Sequence, residues 1–581
     1  MATESRTRLE KLLLLIGQDG KTPEIRHAAA EQLAALATNK PSDLHGLVAR
    51  VTEALLGQHW DGRVASASCL EMIARHCQSH TVESLMGAVA GGGAEGAPPP
   101  TGHTHLDEFD VAAVMKQAKP LVASSGEEFA VDSLSDRQSL QQQKKALKAR
   151  LGLDGFAEEL MNADDLIADE DLDGDRPSDM DQDGPGVQLE AQLSLREIAM
   201  ERTRSKQKPG FGMLGVKRPL DEERGGTAED AVLQAVSKAN DEMWDDTVKG
   251  AWPFGRLADK LCIDLLHPAW ETRHGAALGL RAILGSQAAS AGIQVAIEDV
   301  PTGWLASEGS GRPNLMPLTA ADALRAASDN ASWLEECALH LLCVLALDQF
   351  GDFASDDVVA PVRETAAQAL GLVAASMPTG SFSKTVDALS KIARADNWEA
   401  RHGALSGLKY VLAARSAQGV CIPDDVAAVV LAVALHGLED GMEDVRSVSA
   451  ECLVPCVDQF WGDKLQGVRA NPDATAQIRR VVEQLWDSLL SLDPLNTGTR
   501  SAARLLQSIF QQYDSIKGDF PIEMDKVPRL WYQFTSKSAP TRRAALECYR
   551  SIGSNYAAST TKGPADDSMM NHYYCGIFSL L

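Results

Sequence analysis

Apolar side chains recur along this chain with the period of an α-helix, and one phrase of the pattern is repeated. WETRHGAALGL, which begins at Trp270, returns as WEARHGALSGL at Trp398. The shared skeleton is an Arg, a small residue three positions later and a Leu seven positions after the Arg. Offsets of three and seven place the small residue and the Leu on one helical face, so the skeleton predicts a helix packed closely against a neighbour. The copies are Arg26/Ala29/Leu33, Arg63/Ser66/Leu70, Arg273/Ala276/Leu280, Arg363/Ala366/Leu370, Arg401/Ala404/Leu408 and Arg446/Ser449/Leu453.

A second amphipathic segment precedes each phrase, such as RLEKLLLLI from Arg8 and RLADKLCIDLL from Arg256. Each unit is therefore predicted to be a helical hairpin. Successive skeleton Arg residues lie about 37 to 54 positions apart where no insertion intervenes, which is typical of HEAT or armadillo repeats. We predict an all-α fold, a HEAT-repeat α-solenoid. Weaker copies at Arg500/Ala503 and Arg542/Ala545 bring the expected number of repeats to eight.

The repeat pattern is interrupted once over a long stretch. Between residues 78 and 250 the skeleton vanishes and the composition shifts to Gly, Pro, Asp, Glu, Gln and Ser, which predicts a mostly disordered, acidic insertion. Residues 1–77 are then expected to hold repeats 1 and 2, and residues 251–556 repeats 3 to 8, with a loop at 286–330. Residues 557–581 lack a helical pattern and are expected to form an irregular tail.

One part of the insertion, residues 104–131, combines apolar and acidic side chains. Its first half, LDEFDVAAV from Leu106, predicts a short helix that presents Phe109, Val111 and Val114 beside acidic residues. Two further acidic stretches lie within the repeats, at 352–357 and 438–444, and are expected to be exposed, negative turns between paired helices.

Charge and cysteine usage narrow the classes of function. The chain has 81 acidic and 55 basic residues and a formal net charge of -26, which argues against a nucleic-acid-binding surface over the whole protein and favours a basic partner. The ten cysteines are scattered singly, as in a reducing intracellular compartment. We find no signal peptide and no uncharged apolar run of about 18 residues, so a soluble protein is expected.

No motif predicts a metal, a cofactor or a catalytic site. Residues 179–190 match the letters of a calcium loop, but Arg-Pro-Ser stands where a helix should enter and Gly occupies position eight. His274 and His402 recur at equivalent positions of the repeated phrase, which indicates a structural role. We therefore expect no bound cofactor or metal and no enzymatic activity from these residues.

Longer phrases carry a resemblance to a known family. WPFGRLADKLCIDLLHPAWETRHGAALGLR, FGDFASDDVVAPVRETAAQALG, NWEARHGALSGLKY and DEDLD at Asp169 are similar, in order, to phrases of the modifier-of-transcription family, the TATA-box-binding-protein-associated ATPases. The resemblance covers most of residues 1–515, the N-terminal HEAT-repeat region of that family. It implies a nuclear protein that binds the TATA-box-binding protein through its repeats and covers that partner's DNA-binding face with a mobile latch.

Given the partner that the resemblance implies, the apolar and acidic residues of this chain predict where the partner is contacted. The latch is expected within residues 104–131, with contacts from Leu106, Asp107, Glu108, Phe109, Asp110, Val111, Val114 and Phe129. Basic outer helices of the partner are expected to meet the acidic turns, through Asp352, Asp356, Asp357, Asp440, Glu443 and Asp444. The alternative for the latch segment is that it packs back on the repeats as an extra cap.

The chain departs from that family at its end. It stops at Leu581 without a phosphate-binding loop or an Asp-Glu-x-His run, so we expect a truncated gene model or fragment that lacks the Snf-type ATPase. The family's ATP-driven removal of the TATA-box-binding protein from DNA is then not expected of these residues alone. The competing interpretation is a HEAT-repeat adaptor, such as a transport receptor or a phosphatase-type scaffold with a different cargo. Such an adaptor has no need of a tethered apolar and acidic segment.

Overall fold

The protein is described by a computed structural model. It describes residues 8–17, 22–39, 44–77, 79–88, 103–122, 252–294, 320–349, 352–354, 357–461, 472–491, 497–512 and 525–560. The chain divides into two compact units. The described helices belong to the first unit, and the described part of the second unit is a short β-hairpin.

The first unit is a series of helical hairpins, and the predicted all-α HEAT-repeat fold is confirmed. In chain order the described α-helices are α1 (Arg8–Gly17), α2 (Pro23–Asn39), α3 (Leu44–Leu55), α4 (Trp60–His76), α5 (Val82–Ala88), α6 (Val111–Gln117), α7 (Gly255–Asp264), α8 (Trp270–Gln287), α9 (Ala320–Leu347), α10 (Pro361–Ser376), α11 (Thr379–Ile392), α12 (Trp398–Ala417), α13 (Asp424–Leu438), α14 (Glu443–Leu453), α15 (Val457–Phe460), α16 (Pro472–Ser488), α17 (Thr497–Gln511), α18 (Arg529–Phe534) and α19 (Ala539–Thr560). Short 3-10 turns lie at Leu106–Glu108, Ala288–Ser290 and Val454–Cys456.

The repeated skeleton forms the core of this unit. In all six copies the small residue and the Leu are buried, with an exposed fraction of 2% or less. Among the described helices, α9 alone is long and apolar enough to cross a membrane, yet 78% of its most apolar window is buried inside the protein. Core helices of soluble proteins share these properties.

Glycines of the repeated phrase bring neighbouring repeats into close contact. A Cβ atom on Gly275 of α8 would lie 2.0 Å from the carbonyl oxygen of Leu55, at the end of α3. The equivalent Gly403 of α12 has the same relation to Leu345 of α9, at 2.3 Å. The second helix of one repeat therefore lies directly against the end of the first helix of the preceding repeat, which only glycine permits.

The skeleton Arg holds the turn between the two helices of its own repeat. In five of the described repeats its Nη1 donates to the carbonyl oxygens five and six residues earlier, at distances between 2.5 and 3.0 Å. We call this arrangement the Arg clamp. It satisfies carbonyls that follow the end of a helix, where intrahelical partners are missing. The Arg clamps are formed by Arg63, Arg273, Arg401, Arg446 and Arg542.

The stack of repeats continues across the long insertion. Helix α4, before the insertion, packs against α8, after it, and Gln287 at the end of α8 joins the two sides. Its Nε2 donates to the carbonyls of Ala74 and Cys77, each at 2.8 Å. Its Oε1 accepts from Ser79 Oγ at 2.6 Å and from Trp252 Nε1 at 3.3 Å. One buried amide thus holds the chain both where it leaves the stack and where it returns.

We expect Gln287→Met to lower the free energy of unfolding by about 2–3 kcal/mol, because it leaves two buried carbonyls and the buried Trp252 N–H without their partner. Thermal denaturation followed by circular dichroism measures the loss. The control is Gln418→Met, whose exposed amide donates to the Ala375 carbonyl and whose loss is expected to change stability by less than about 0.5 kcal/mol. Equal effects of the two substitutions would contradict the proposed role of Gln287.

The second unit contributes two strands that the sequence did not predict. β1 (Asp352–Ala354) pairs antiparallel with β2 (Asp357–Val359), and Phe353 lies opposite Val358. The described residues of the stretch 352–357, which was expected to be a turn between paired helices, therefore lie in two paired strands.

Candidate functional site

Buried charges at the centre of the stack form the first part of the site. Asp348, which follows α9, has its Oδ1 2.9 Å from Nη2 and 3.2 Å from Nε of Arg273. Its Oδ2 lies 3.5 Å from Nη1 of Arg363, and all three side chains are fully buried. Burial lowers the pKa of Arg363, and the negative charges of Asp348, Glu399 and Asp444 oppose that shift. Two cations therefore share one buried carboxylate.

Residues 103–122, which we call the docked segment, lie on this part of the stack. Leu106 and Val111 are buried, with exposed fractions of 7% and 8%, and belong to the main core. Phe109 and Met115 are half-buried against the same core. The docked segment packs on α9 and α11, so it touches the first helices of two neighbouring repeats.

Polar contacts fix the beginning of the docked segment to α9. His103 Nδ1 is paired with the Glu336 carboxylate, and His105 Nδ1 lies 2.9 Å from Glu335 Oε2. The backbone N–H of Leu106 also donates to Glu335 Oε2, at 3.3 Å. Burial raises the pKa of Glu335, but hydrogen bonds from Ser381, His105 and the Leu106 N–H outweigh it, and the net shift is downward. The carboxylate is held ionised as the acceptor for the docked segment.

Acidic side chains of the docked segment stay at the surface. Asp107 Oδ2 pairs with Lys384 Nζ of α11 at 2.6 Å, and Asp110 Oδ1 caps α6 by accepting from the N–H groups of Ala112 and Ala113. Glu108 is exposed. Between this part of the segment and residues 391–397, at the end of α11 and in the turn after it, lies a groove of about 750 Å³. Its wall on the segment carries acidic side chains, and the opposite wall carries Lys391 and Arg394 together with Asp396.

The end of the docked segment is joined to the buried charges. The N–H of Leu121 donates to the Leu347 carbonyl at 2.9 Å, and the N–H of Gln349 donates to the Leu121 carbonyl at 2.8 Å. Nη2 of Arg273 donates to the Val122 carbonyl at 2.8 Å. One skeleton Arg therefore holds its own turn, the Asp348 carboxylate and the last described residue of the segment.

The structure places seven of the eight candidate latch residues. Leu106 and Val111 face the core, Phe109 and Val114 are half-buried, and Asp107, Glu108 and Asp110 are exposed. Phe129 lies outside the described residues, as do the calcium-like loop and most of the predicted insertion. The described residues have the arrangement that the sequence left as the alternative, with the segment packed on the repeats. No sequence pattern indicated the contacts of Leu121 and Val122.

The expectation that Asp440, Glu443 and Asp444 of the second acidic turn are exposed is wrong, although Glu439 of the same turn is exposed. Glu443 and Asp444 are buried, with exposed fractions of 8% and 6%, and the Asp440 side chain is 5% exposed. The Asp440 carboxylate accepts two hydrogen bonds from the Arg401 guanidinium, at 2.6 and 3.0 Å, and Asp444 is close enough to offset the buried charge of Arg363. These acids serve the stack and are not available as surface charge. Asp352 and Asp357 lie in the β-hairpin, and Asp356 lies outside the described residues.

Histidines of the repeated phrase have structural surroundings, as expected. His274 stacks on Trp60 at 4.6 Å between ring centroids, and its Nδ1 lies 3.3 Å from Arg63 Nε. Burial, followed by the positive charge of Arg63, lowers the pKa of His274 to about 3, and the same causes lower that of His402, beside Arg363, to about 3. Within the described residues, no three His, Cys, Asp or Glu side chains are grouped to hold a metal.

Comparison with known proteins finds relatives that match most of the chain. A scan against protein-family models finds no match. Human TATA-binding protein-associated factor 172 is 31% identical over 587 residues, which cover 93% of this chain and 29% of that protein. Over nine tenths of its length the chain is thus similar to TATA-binding protein-associated factors. Mot1 of Aspergillus fumigatus is 27% identical over 91% of this chain and 31% of its own length. BTAF1 of Arabidopsis thaliana is 25% identical over 88% and 32%.

The chain spans about three tenths of the length of these family members. Among solved structures it is similar to the Mot1 N-terminal domain in complex with TBP, with 15% identity and a TM-score of 0.43 over 89% of this chain and 46% of that one. It is also similar to importin beta, with 13% identity and a TM-score of 0.37 over 95% and 52%.

Proposed function

We propose that this chain is a nuclear transcription regulator that binds the TATA-box-binding protein through its HEAT repeats. We also propose that residues 104–131 act as a latch over the partner's DNA-binding face. The observation that carries the proposal is sequence similarity over nine tenths of the chain to proteins named for association with the TATA-binding protein. In a full-length protein of the family, we propose that this binding is coupled to ATP-driven removal from promoter DNA.

The chemistry of the segment fits that partner. The TATA-box-binding protein inserts apolar wedges into the minor groove and bends the DNA, so its DNA-binding face offers apolar side chains beside groups that meet phosphates. A competitor must supply apolar contacts and negative charge together. Phe109 and Val114 are half-buried next to the exposed carboxylates of Asp107, Glu108 and Asp110. Tethering to the repeats makes the contact intramolecular, with an effective concentration that reaches the millimolar range for short linkers.

Charge along the stack is a second element of the proposal. Because Asp440, Glu443 and Asp444 are buried, Asp352, Asp356 and Asp357 are the acidic positions left as candidates for contact with basic helices of the partner. Charges at the rim of an interface act mainly on the association rate.

Deleting residues 104–131 should leave binding of the TATA-box-binding protein in place and raise the affinity of the complex for TATA DNA by at least about tenfold, because the tethered competitor is removed. Fluorescence anisotropy with labelled TATA DNA measures the affinity, and biolayer interferometry measures partner retention. The control replaces 104–131 by a scrambled sequence of the same length and composition, which keeps the charge and loses the order of apolar positions.

Two outcomes would contradict the proposal at different points. Failure of the intact chain to retain the TATA-box-binding protein would favour an adaptor with another cargo. If the complex still forms and its DNA affinity is the same with and without residues 104–131, the latch hypothesis is wrong and the proposed binding of the TATA-box-binding protein stands.

A further inference from the structure

We propose that docking of residues 103–122 on α9 and α11 is an autoinhibitory state of the latch, which must be left before the segment can cover the partner. The inference rests on the proposed function and adds to it a competition within the chain. It follows from which side chains hold the docked segment and how they hold it.

The first argument is that the same side chains are needed twice. Leu106 and Val111 are two of the apolar contacts that the latch would offer, and both are buried against the repeats, while Phe109 is half-buried against the same core. Asp107, which would stand in for a DNA phosphate, is paired with Lys384. A side chain cannot fill the core of the stack and contact a partner at once, so the docked position and the covering position exclude each other.

The second argument is that the contacts of the docked segment suit a reversible state. Within residues 103–122, the side chains of Leu106 and Val111 are buried, and two ion pairs are open to water. The exposed fractions are 69% for Asp107 and 42% for Lys384, and His103 and Glu336 are each about one-third exposed, whereas Glu335, the partner of His105, is buried. Solvent-exposed ion pairs contribute little to stability, so the cost of undocking is mainly the exposure of two apolar side chains and the loss of the contacts of Glu335.

The third argument is that the repeats remain satisfied when the segment leaves. Glu335 keeps its hydrogen bond from Ser381, and Glu336 and Lys384 are already in contact with water. The far end of the segment has firmer contacts, because Val122 accepts from the fully buried Arg273 and Leu121 is paired on both sides with Leu347 and Gln349. Residues 103–117 can therefore undock with one end fixed, which preserves the high local concentration of the latch.

A release variant tests the proposed autoinhibition. It changes only residues of the repeats and leaves the latch sequence intact. Glu336→Ala together with Lys384→Ala removes the partners of His103 and Asp107. We expect faster amide hydrogen exchange in residues 103–117 of the free protein. We also expect the chain to compete with TATA DNA at a concentration at least about threefold lower, since a binding-competent state that is only partly populated weakens the apparent affinity by that fraction. The matched control is Arg543→Ala with Glu547→Ala, an exposed ion pair on α19.

A locked variant tests the opposite direction. In the locked variant, His103→Cys and Glu336→Cys are joined by a flexible bismaleimide linker, in a chain whose Cys421 and Cys575 are replaced by Ser. The linked protein should retain the TATA-box-binding protein and lose its competition with DNA, whereas the same variant without linker should compete.

The results separate this inference from the function on which it rests. If deletion of 104–131 changes the DNA affinity, but the release variant exchanges faster and competes no better than the wild type, the docked position is not inhibitory and the inference is wrong. Full competition by the linked protein overturns it equally. If the deletion itself has no effect on DNA affinity, the proposed latch function fails first.

Discussion

Gly275→Ala is expected to lower the free energy of unfolding by about 3 kcal/mol, at the upper end of what overpacking of a core does. The added Cβ would lie 2.0 Å from the Leu55 carbonyl oxygen and 3.3 Å from the Leu56 Cα, so backbone must move. Because α8 is the surface on which α3 and α4 stack, the loss should fall on the junction between repeats 2 and 3. Thermal melting gives the size of the effect, and hydrogen exchange in α3 and α4 gives its location.

The control lies in the same helix. Gly285→Ala places a Cβ with nothing within 4 Å, and a helical Gly→Ala change is expected to stabilise by up to about 1 kcal/mol. A loss of stability at Gly275 and a gain at Gly285 would support the explanation that close contact between repeats requires glycine at 275. A neutral result at Gly275 would show that the repeats separate easily at this junction.

Asp348→Ala is expected to destabilise the protein by about 3–5 kcal/mol, because it removes one member of a buried ionic cluster and leaves the others uncompensated. Arg273 and Arg363 are fully buried beside this carboxylate. Calorimetry measures the loss. It should be accompanied by faster amide exchange at Leu121 and Gln349, whose N–H groups donate to the carbonyls of Leu347 and Leu121 on either side of Asp348.

An exposed carboxylate provides the comparison for Asp348. Asp387 pairs with Lys391 one turn further along α11, and both side chains are more than half exposed. Asp387→Ala should change stability by less than about 0.5 kcal/mol. If Asp348→Ala lowered the stability as little as Asp387→Ala, water or another carboxylate would have to replace Asp348 beside the two guanidinium groups. The proposed role of Asp348 as their essential counter-ion would then be wrong.

Helical periodicity was sufficient for the fold and for part of the interior. Offsets of three and seven from each Arg identified positions such as Ala276 and Leu280, which are fully buried. These offsets are a local property of one helix, so sequence alone shows them. The skeleton Arg contacts carbonyls of the turn before its helix and, in several repeats, an acid of the next repeat. Helical periodicity predicts neither contact.

The acidic turns show where sequence reasoning failed. Polarity predicted exposure of Asp440, but its partner is Arg401, in the preceding repeat. The same relation joins Arg26 to Asp61 and Arg273 to Asp348. A search for an acid near each turn, paired with the skeleton Arg one repeat earlier, would have found these pairs. The docking of residues 103–122 had no such periodic signal, because a segment between repeats follows no repeat rule.

Arg363 forms a wider variant of the Arg clamp. Its Nη1 donates to one carbonyl, that of Asp348, 15 residues earlier, whereas the Arg clamps reach back five and six residues. The intervening chain includes β1 and β2, yet Arg363 is placed in its helix like its equivalents. A turn whose ends are tied by a side chain accepts extra sequence between them. The remaining clamped turns are thus natural grafting points, where an epitope or a foreign hairpin can be carried while the helices on either side keep their places.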